Sequence, residues 1–197
     1  MRYLVLLFLF PFISHAQNLD DYNQERLKLT ENLMVGLGSW SVANMGVSGV
    51  GWATTDNEAK YFHQMNVMWS GVNMIVAFPS YFKAKKTDPK GISFSETWRT
   101  QHIKEKVFLF NTALDLVYVS GGVYLKQRAL VDANNYQRYR GWGNSLIMQG
   151  GFLFILDLTA TILHTKHRKN KLQGFWDKMD AIDLGLSANG IGLQIHL

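Results

Sequence analysis

Four apolar stretches, separated by charged connections, dominate the pattern of this chain. They cover residues 33–55, 62–82, 107–126 and 142–165. Each supplies about 20 residues, which is the length that an α-helix needs to cross the hydrocarbon core of a bilayer. The pattern therefore predicts an all-α membrane protein whose domain, residues 33–166, is a four-helix transmembrane bundle.

The distribution of charge supports this interpretation more strongly than the overall composition does. Hydrophobic residues make up 47% of the chain, which is ordinary for a soluble protein, and the net charge is +5. Lys and Arg, however, are absent from the interiors of the four stretches and crowd the connections. Amphipathic helices of a soluble bundle would carry charges on every turn, so this segregation indicates membrane spans. The chain has no cysteine, which excludes disulfides and thiolate metal sites.

The N-terminal residues have the pattern of a secretory leader. Arg2 supplies a positive charge, an apolar run follows, and Ser14-His15-Ala16 offers a small-x-small cleavage site. We therefore predict a signal peptide over residues 1–16. Residues 17–32 are polar and form a lead-in segment with the composition of an amphipathic helix.

The C-terminal segment, residues 167–197, changes from helical to alternating periodicity. Apolar residues alternate with other residues over 182–187 and again over 191–197, on either side of Asn189-Gly190. This is the pattern of a β-hairpin, so we predict a basic tail that ends in a short hairpin resting on the helices or on the membrane surface. An outer-membrane barrel is disfavoured, because 107–110 and 152–158 are continuous apolar runs.

The connections give conflicting signals about orientation. A cleaved leader places the mature N-terminus in the periplasm, together with residues 83–106 and the tail. Those segments carry seven and five Lys/Arg, whereas the other two connections carry one and four, which is the reverse of the positive-inside rule. We give more weight to the leader than to the positive-inside rule, and predict a bacterial cytoplasmic membrane protein whose mature N-terminus is periplasmic. Residues 94–106 are expected to form a helix along the interface, after a kink or exit at Pro79.

Glycines are expected to let the helices approach closely. Gly38, Gly46 and Gly49 share one face of the first stretch, and the pairs 121–122 and 150–151 interrupt the third and fourth. Small residues are typical of close contacts between membrane helices.

Polar residues inside the four stretches form the candidate ligand site. This intramembrane polar layer consists of Asn44, Asn66, Asn73, Asn111, Asp115 and Asp157. An ionised Asp at bilayer depth costs about 2.5–3.5 kcal/mol on insertion scales, and no Lys or Arg within the stretches neutralises either acid. The acids are therefore protonated, hydrogen-bonded, hydrated or bound to a cation. Hydrogen bonding that fixes helix register is the first interpretation, and binding of a small cation or proton is the alternative.

No catalytic motif is present in the sequence, so we expect no enzyme activity, no cofactor and no metal site. His102, His164 and His167 lie at one membrane side among basic residues, where solvated side chains are the expected state. The net positive charge lies in the connections and favours lipid headgroups over nucleic acid as a partner.

The leader ending in His15-Ala16-Gln17, the Leu37-Gly38-x-Trp40-x-x-x-Asn44 segment and the four-helix layout resemble a family of uncharacterised small membrane proteins from Bacteroidota. The resemblance implies a membrane location and supplies no catalytic residues. The sequence thus predicts an integral membrane protein with a structural or partner-binding role, whose partners are the bilayer and a second copy or another membrane protein. The alternative is a small transporter or an ion- or proton-binding protein that uses Asp115 and Asp157.

Overall fold

Four long α-helices form most of the chain. A computed structural model describes the backbone of residues 2–173, 182–187 and 190–195, and the side chains of residues 19–172. The helices are α1 (Arg2–Thr54), α2 (Asn57–Lys86), α3 (Phe94–Ala129) and α4 (Tyr136–His167). The prediction of an all-α architecture with four long helices is confirmed for the part of the chain that the structure describes.

Two short helical turns and two strands complete the described elements. A 3₁₀ turn, Ala133–Asn135, precedes α4, and a π-helical segment, Arg168–Gln173, follows it. The strands β1 (Ile182–Ser187) and β2 (Gly190–Ile195) pair antiparallel, with Ile182 opposite Ile195. Their side chains lie outside the described residues, so a hairpin that rests on a membrane face stays a prediction.

The helix boundaries differ from the predicted ones at two places. Ser93 is the N-cap of α3, where its hydroxyl accepts a hydrogen bond from the backbone N–H of Glu96 at 3.2 Å. The helix then continues without a break, so the prediction of a separate interfacial helix over residues 94–106 is wrong. Pro79 lies inside α2 and does not end it.

Helix α1 includes both the predicted leader and the polar lead-in segment. It begins at Arg2 and runs to Thr54. The side chains of residues 1–16 lie outside the described residues, and cleavage of a signal peptide stays a prediction. The lead-in segment, residues 17–32, continues directly into the first apolar stretch as one helix.

The helices associate as two pairs. Helix α1 packs along α2, α3 packs along α4, and α2 contacts α4 between the pairs. A small apolar core joins them: Leu33, Met34, Leu37, Ala77, Phe108, Leu153 and Ala160.

Glycine brings α3 and α4 into backbone contact. A Cβ atom on Gly143 would lie 2.6 Å from the carbonyl oxygen of Gly122, and one on Gly122 would lie 2.7 Å from the carbonyl oxygen of Gly143. No other residue fits at either position without a shift. Of the predicted glycine pairs, Gly122 and Gly150 make such close contacts, whereas Gly121 and Gly151 face open space, so the predicted packing role is confirmed for one glycine of each pair. In α1, by contrast, Gly46 and Gly49 face open space, so the predicted close-packing face of that helix is wrong at these two positions.

Polar side chains lie inside the described bundle, and apolar side chains cover its outside. Buried polar residues come from all four helices and include Ser41, Asn66, Asn73, Gln101, Asp115, Gln149 and Asp157. The exposed side of α2, for example, carries Met68, Val72, Ile75, Val76, Phe78 and Phe82. Soluble proteins rarely expose continuous apolar surface on this scale, whereas helices in lipid do.

Three described segments are long and apolar enough to cross a membrane: Leu19–Thr54, Phe94–Ala129 and Ala133–Leu172. Helix α2 is not among them, which corrects the prediction of four equivalent spans. The reason is its composition, since Asn66, Ser70 and Asn73 lower its hydropathy. All three of these side chains are buried against the other helices.

Candidate functional site

Two carboxyl groups meet between α3 and α4. Asp115 is 2% exposed and Asp157 is 7% exposed. Their side chains line the same cavity, together with the side chain of Asn111. Asn111 and Asp115 are four residues apart, so they project from the same face of α3. We call Asp115 and Asp157 the carboxyl pair.

The carboxyl pair lines a small cavity of about 160 Å³ inside the bundle. The polar members of the lining are Asn73, Asn111, Asp115, Asp157 and the hydroxyl-bearing Tyr118, and the remainder are apolar or aromatic. We call this space the carboxyl cavity. It therefore collects four of the six residues of the predicted polar layer, drawn from α2, α3 and α4.

Two polar atoms of the carboxyl cavity's lining residues are buried without a hydrogen-bond partner. They are Oδ2 of Asp115, an acceptor, and Nδ2 of Asn73, a donor. A buried polar atom without a partner costs about 1–3 kcal/mol, and more when it is charged. The cavity has room for water molecules, which would satisfy both atoms, or for a small cation, which would satisfy Oδ2 of Asp115.

The carboxyl pair lies in a cavity whose described lining carries no basic side chain. Among the described residues that line the carboxyl cavity, none is Lys, Arg or His. Two buried carboxyl groups that line one small cavity disfavour ionisation of both unless a compensating charge is present. The pair can therefore share a proton or hold a cation, and carboxylate and amide oxygens are ligands that hard cations prefer. In the described part of the chain, no group of three or more His, Asp or Glu side chains is placed to hold a metal ion.

Asn66 belongs to a second polar network, separate from the carboxyl cavity. Its Oδ1 atom accepts hydrogen bonds from Oγ of Ser145 at 2.7 Å and from Nε2 of Gln149 at 2.9 Å. Gln149 in turn accepts a bond from Nε1 of Trp40 at 2.9 Å. The network joins α1, α2 and α4 and is nearly dry, since Asn66 is 1% exposed.

Asn44 is not part of either group. Its side chain is half-buried and donates to the backbone carbonyl of Trp40 on its own helix, at 2.9 Å. The prediction of a single polar layer is therefore wrong in this respect. A helical face can be read from the sequence, but the side chain's choice between its own backbone and a neighbouring helix cannot.

Ser145 and Gln149 are the polar residues that sequence reasoning missed. They are four residues apart on α4, so they share a face. Asn111 and Asp115 have the same spacing on α3, so this spacing is the signal in the sequence that could have found Ser145 and Gln149.

The histidines differ from the expectation of solvated side chains. His164 is fully buried, with its ring stacked on Phe108 at a centroid distance of 5.5 Å. Neither ring nitrogen of His164 has a hydrogen-bond partner. His167 stacks on Tyr22 at 4.3 Å, and His102 bonds to the backbone carbonyl of Trp98.

Comparison with known proteins identifies the chain at the level of a family. No curated protein and no solved structure matches it significantly. A protein-family model described as a family of unknown function matches residues 36–158, which is more than half of the chain and includes the whole carboxyl pair. The origin in Bacteroidota stays a prediction from the sequence resemblance. On the strength of that match, the chain belongs to the family of unknown function DUF6992.

Proposed function

We propose that this protein is an integral membrane protein that binds a small cation or a proton at the carboxyl pair. The observation that carries the proposal is the carboxyl cavity, where Asp115 and Asp157 meet and one carboxyl oxygen is buried without a partner. A hydrogen bond that only fixed helix register would need no cavity beside it. The protein is not proposed to be an enzyme.

The membrane part of the proposal includes α2 as a fourth span. Its exposed face is apolar, with Ile75 75% exposed, and its polar residues Asn66, Ser70 and Asn73 point inward. When a membrane span buries its polar residues against other helices, its mean hydropathy falls, but its lipid-facing surface stays apolar. We place the bundle in a bacterial cytoplasmic membrane with the mature N-terminus in the periplasm, alone or with a second copy or another membrane protein.

The size and the polar lining of the carboxyl cavity support a cation or proton over a larger substrate. A cavity of about 160 Å³ is smaller than the roughly 300–1,000 Å³ of sites for drug-sized ligands. Asn73 and Asn111 can each offer an amide oxygen as a ligand or an amide N–H to a carboxylate. The site thus adapts to either charge state of the carboxyl pair.

The test is the thermal stability of the detergent-purified protein across pH and a panel of Li⁺, Na⁺, K⁺ and Mg²⁺ salts. A ligand present at 100 times its Kd stabilises the folded state by about 2.7 kcal/mol, which is a rise in Tm of roughly 5–10 °C for a chain of this size. We expect this rise in the wild-type protein and its loss in Asp115→Asn and Asp157→Asn. A rise with pH change alone would identify the ligand as a proton.

The matched control is Asp56→Asn, which removes an exposed carboxyl group outside the cavity. Its response to cations and to pH should equal that of the wild-type protein. A flat response shared by all four proteins would refute ligand binding, and the carboxyl pair would then be a register-fixing contact that shares a proton.

A further inference from the structure

A second cavity, of about 400 Å³, lies between α1, α2 and α3. It sits beside the end of the bundle where α2 finishes and α3 begins, since Lys83, Thr87 and Ile92 are among its lining residues. It also shares Asn111 and Phe108 with the carboxyl cavity, so the two spaces adjoin. We call it the basic cavity, after Arg26, Lys83 and Lys104, which line it.

Arg26 is buried in the wall of the basic cavity and is held there by hydrogen bonds. It is 3% exposed, and its Nη2 and Nε atoms donate to Oδ1 of Asn23 at 2.8 and 3.3 Å. Asn23 is itself held by Thr97 on α3, through bonds of 2.9 and 3.1 Å. The guanidinium group is therefore fixed in position by a neutral amide.

The second basic group is held in a similar way. Nζ of Lys104 donates to Oγ1 of Thr30 at 2.6 Å, which ties α3 to α1. Lys83 is exposed at the end of α2 and completes the set. Each of these three cations comes from a different helix, so the cavity exists only in the folded bundle.

The charges of the basic cavity do not balance. Glu96 is the acidic residue among its described lining side chains, against three basic ones. In the described part of the chain, the ion pairs use Lys28, Arg140, His167, Arg168 and Lys171, and none of them involves Arg26, Lys83 or Lys104. Glu96 can offset one of the three positive charges, and the remaining excess favours binding of an anion.

The basic cavity also has an apolar, outward-facing part. Val76, Ile103 and Val107 line it, and each is about half exposed, at 50%, 49% and 49%. Val76 and Val107 lie within the predicted apolar stretches, whereas Arg26, Lys83 and Lys104 lie outside those stretches, and Ile103 lies at the level of Lys104. The basic groups therefore lie toward the end of the bundle where α2 finishes and α3 begins, and half-exposed apolar side chains continue the lining from there into the predicted apolar stretches.

From this geometry, we infer that the basic cavity binds the phosphate headgroup of an anionic lipid, with the acyl chains against its apolar part. Guanidinium and ammonium groups are the usual partners of phosphate oxygens, and basic pockets between membrane helices suit lipid headgroups. The inference rests on the proposed membrane insertion but not on the carboxyl pair. Resistance of the membrane-bound protein to carbonate extraction tests insertion separately.

The experiment uses the full chain, purified in a neutral detergent. Tm and native mass spectra are recorded during titration with phosphatidylglycerol, phosphatidylcholine or inorganic phosphate. We expect phosphatidylglycerol to bind and raise Tm, and the other two to give a much smaller effect. Lys104→Gln should weaken the apparent affinity about tenfold, because one charge-assisted contact is lost. Lys83→Gln should weaken it only a few-fold, because its group is exposed to solvent.

The matched control is Lys86→Gln, an exposed lysine on the same last turn of α2 that does not line the cavity. Its affinity for phosphatidylglycerol should stay within about twofold of the wild-type value. Since Lys83 and Lys86 are both exposed, their variants retain the fold, and unchanged Tm without lipid verifies this. Three results would overturn the inference: equal effects of the two lipids, equal losses in Lys83→Gln and Lys86→Gln, or an inorganic phosphate effect as large as that of the lipid.

Discussion

Replacement of Gly143 by alanine is the sharpest test of how α3 and α4 pack. The added Cβ would lie 2.6 Å from the carbonyl oxygen of Gly122 and 2.8 Å from Cγ of Lys126. The first distance is about 0.8 Å short of the 3.4 Å at which ordinary contact begins. The lysine side chain can move aside, but the carbonyl belongs to a helix backbone. The two helices must therefore separate locally.

The expected cost follows from two opposing effects. Overpacking a tight contact costs about 1–3 kcal/mol. Replacing a helical glycine by alanine returns up to about 1 kcal/mol, because alanine restricts the unfolded chain and favours the helix. We therefore expect Gly143→Ala to lower the free energy of unfolding by about 1–2 kcal/mol.

Unfolding of the detergent-solubilised protein by sodium dodecyl sulfate, followed by circular dichroism, measures this change. The matched control is Gly151→Ala on the same helix, where the added Cβ meets nothing within 4 Å. It should be neutral or stabilising by up to about 1 kcal/mol. If Gly143→Ala is as stable as Gly151→Ala, the close approach of α3 and α4 is refuted.

The double variant Gly122→Ala/Gly143→Ala gives an independent check. Each new methyl group meets the carbonyl oxygen of the other glycine, so one separation of the helices accommodates both. The double variant should therefore lose clearly less stability than the sum of the two single losses. Strict additivity would contradict this contact.

Two further predictions concern the buried network and an exposed loop. Asn66→Ala removes the acceptor that Ser145 and Gln149 share. It should lower the free energy of unfolding by about 1–3 kcal/mol in the same assay, because both donors stay buried. A loss no larger than that caused by replacing an exposed asparagine would contradict this prediction. Hydrogen bonds from Asn135 lower the pKa of Asp132 below its ordinary value of 3.8, so its stabilisation of the turn is present above that pH and is lost as pH falls through the lowered value. The backbone N–H of Asn135 donates to Oδ1 and to the backbone carbonyl of Asp132, at 3.2 Å each. Loss of the bond to Oδ1 should accelerate its hydrogen exchange in that acid range relative to amides inside α3, and equal protection at all pH values would refute this prediction.

The number of long helices and the position of the acids within apolar stretches can both be predicted from the amino-acid sequence alone. Both depend only on the local sequence. An apolar run of about 20 residues can satisfy its backbone hydrogen bonds in lipid by forming a helix, and an acid inside such a run stands out from its neighbours. Helical spacing also predicts that Asn111 and Asp115 share one face of the third helix.

The ends of the helices could be predicted less well. Residues 94–106 are charged enough to suggest a segment at the interface, yet they continue α3, because their polar side chains pack against α1 and α4. Gln101, for example, donates to the backbone carbonyl of His164 at 2.8 Å. A partner 63 residues away leaves no trace in local composition.

Which polar residues meet one another depends on the packing of the helices. The same residue type, asparagine, has three roles: Asn73 lines the carboxyl cavity, Asn66 holds a dry network, and Asn44 bonds to its own helix. The difference is the rotation of each helix and the identity of its neighbour. Glycine shows the same dependence, since Gly143 makes backbone contact while Gly46 faces open space. Helix rotation and pairing are set by the packing of the whole bundle, so the segments taken one at a time do not contain them.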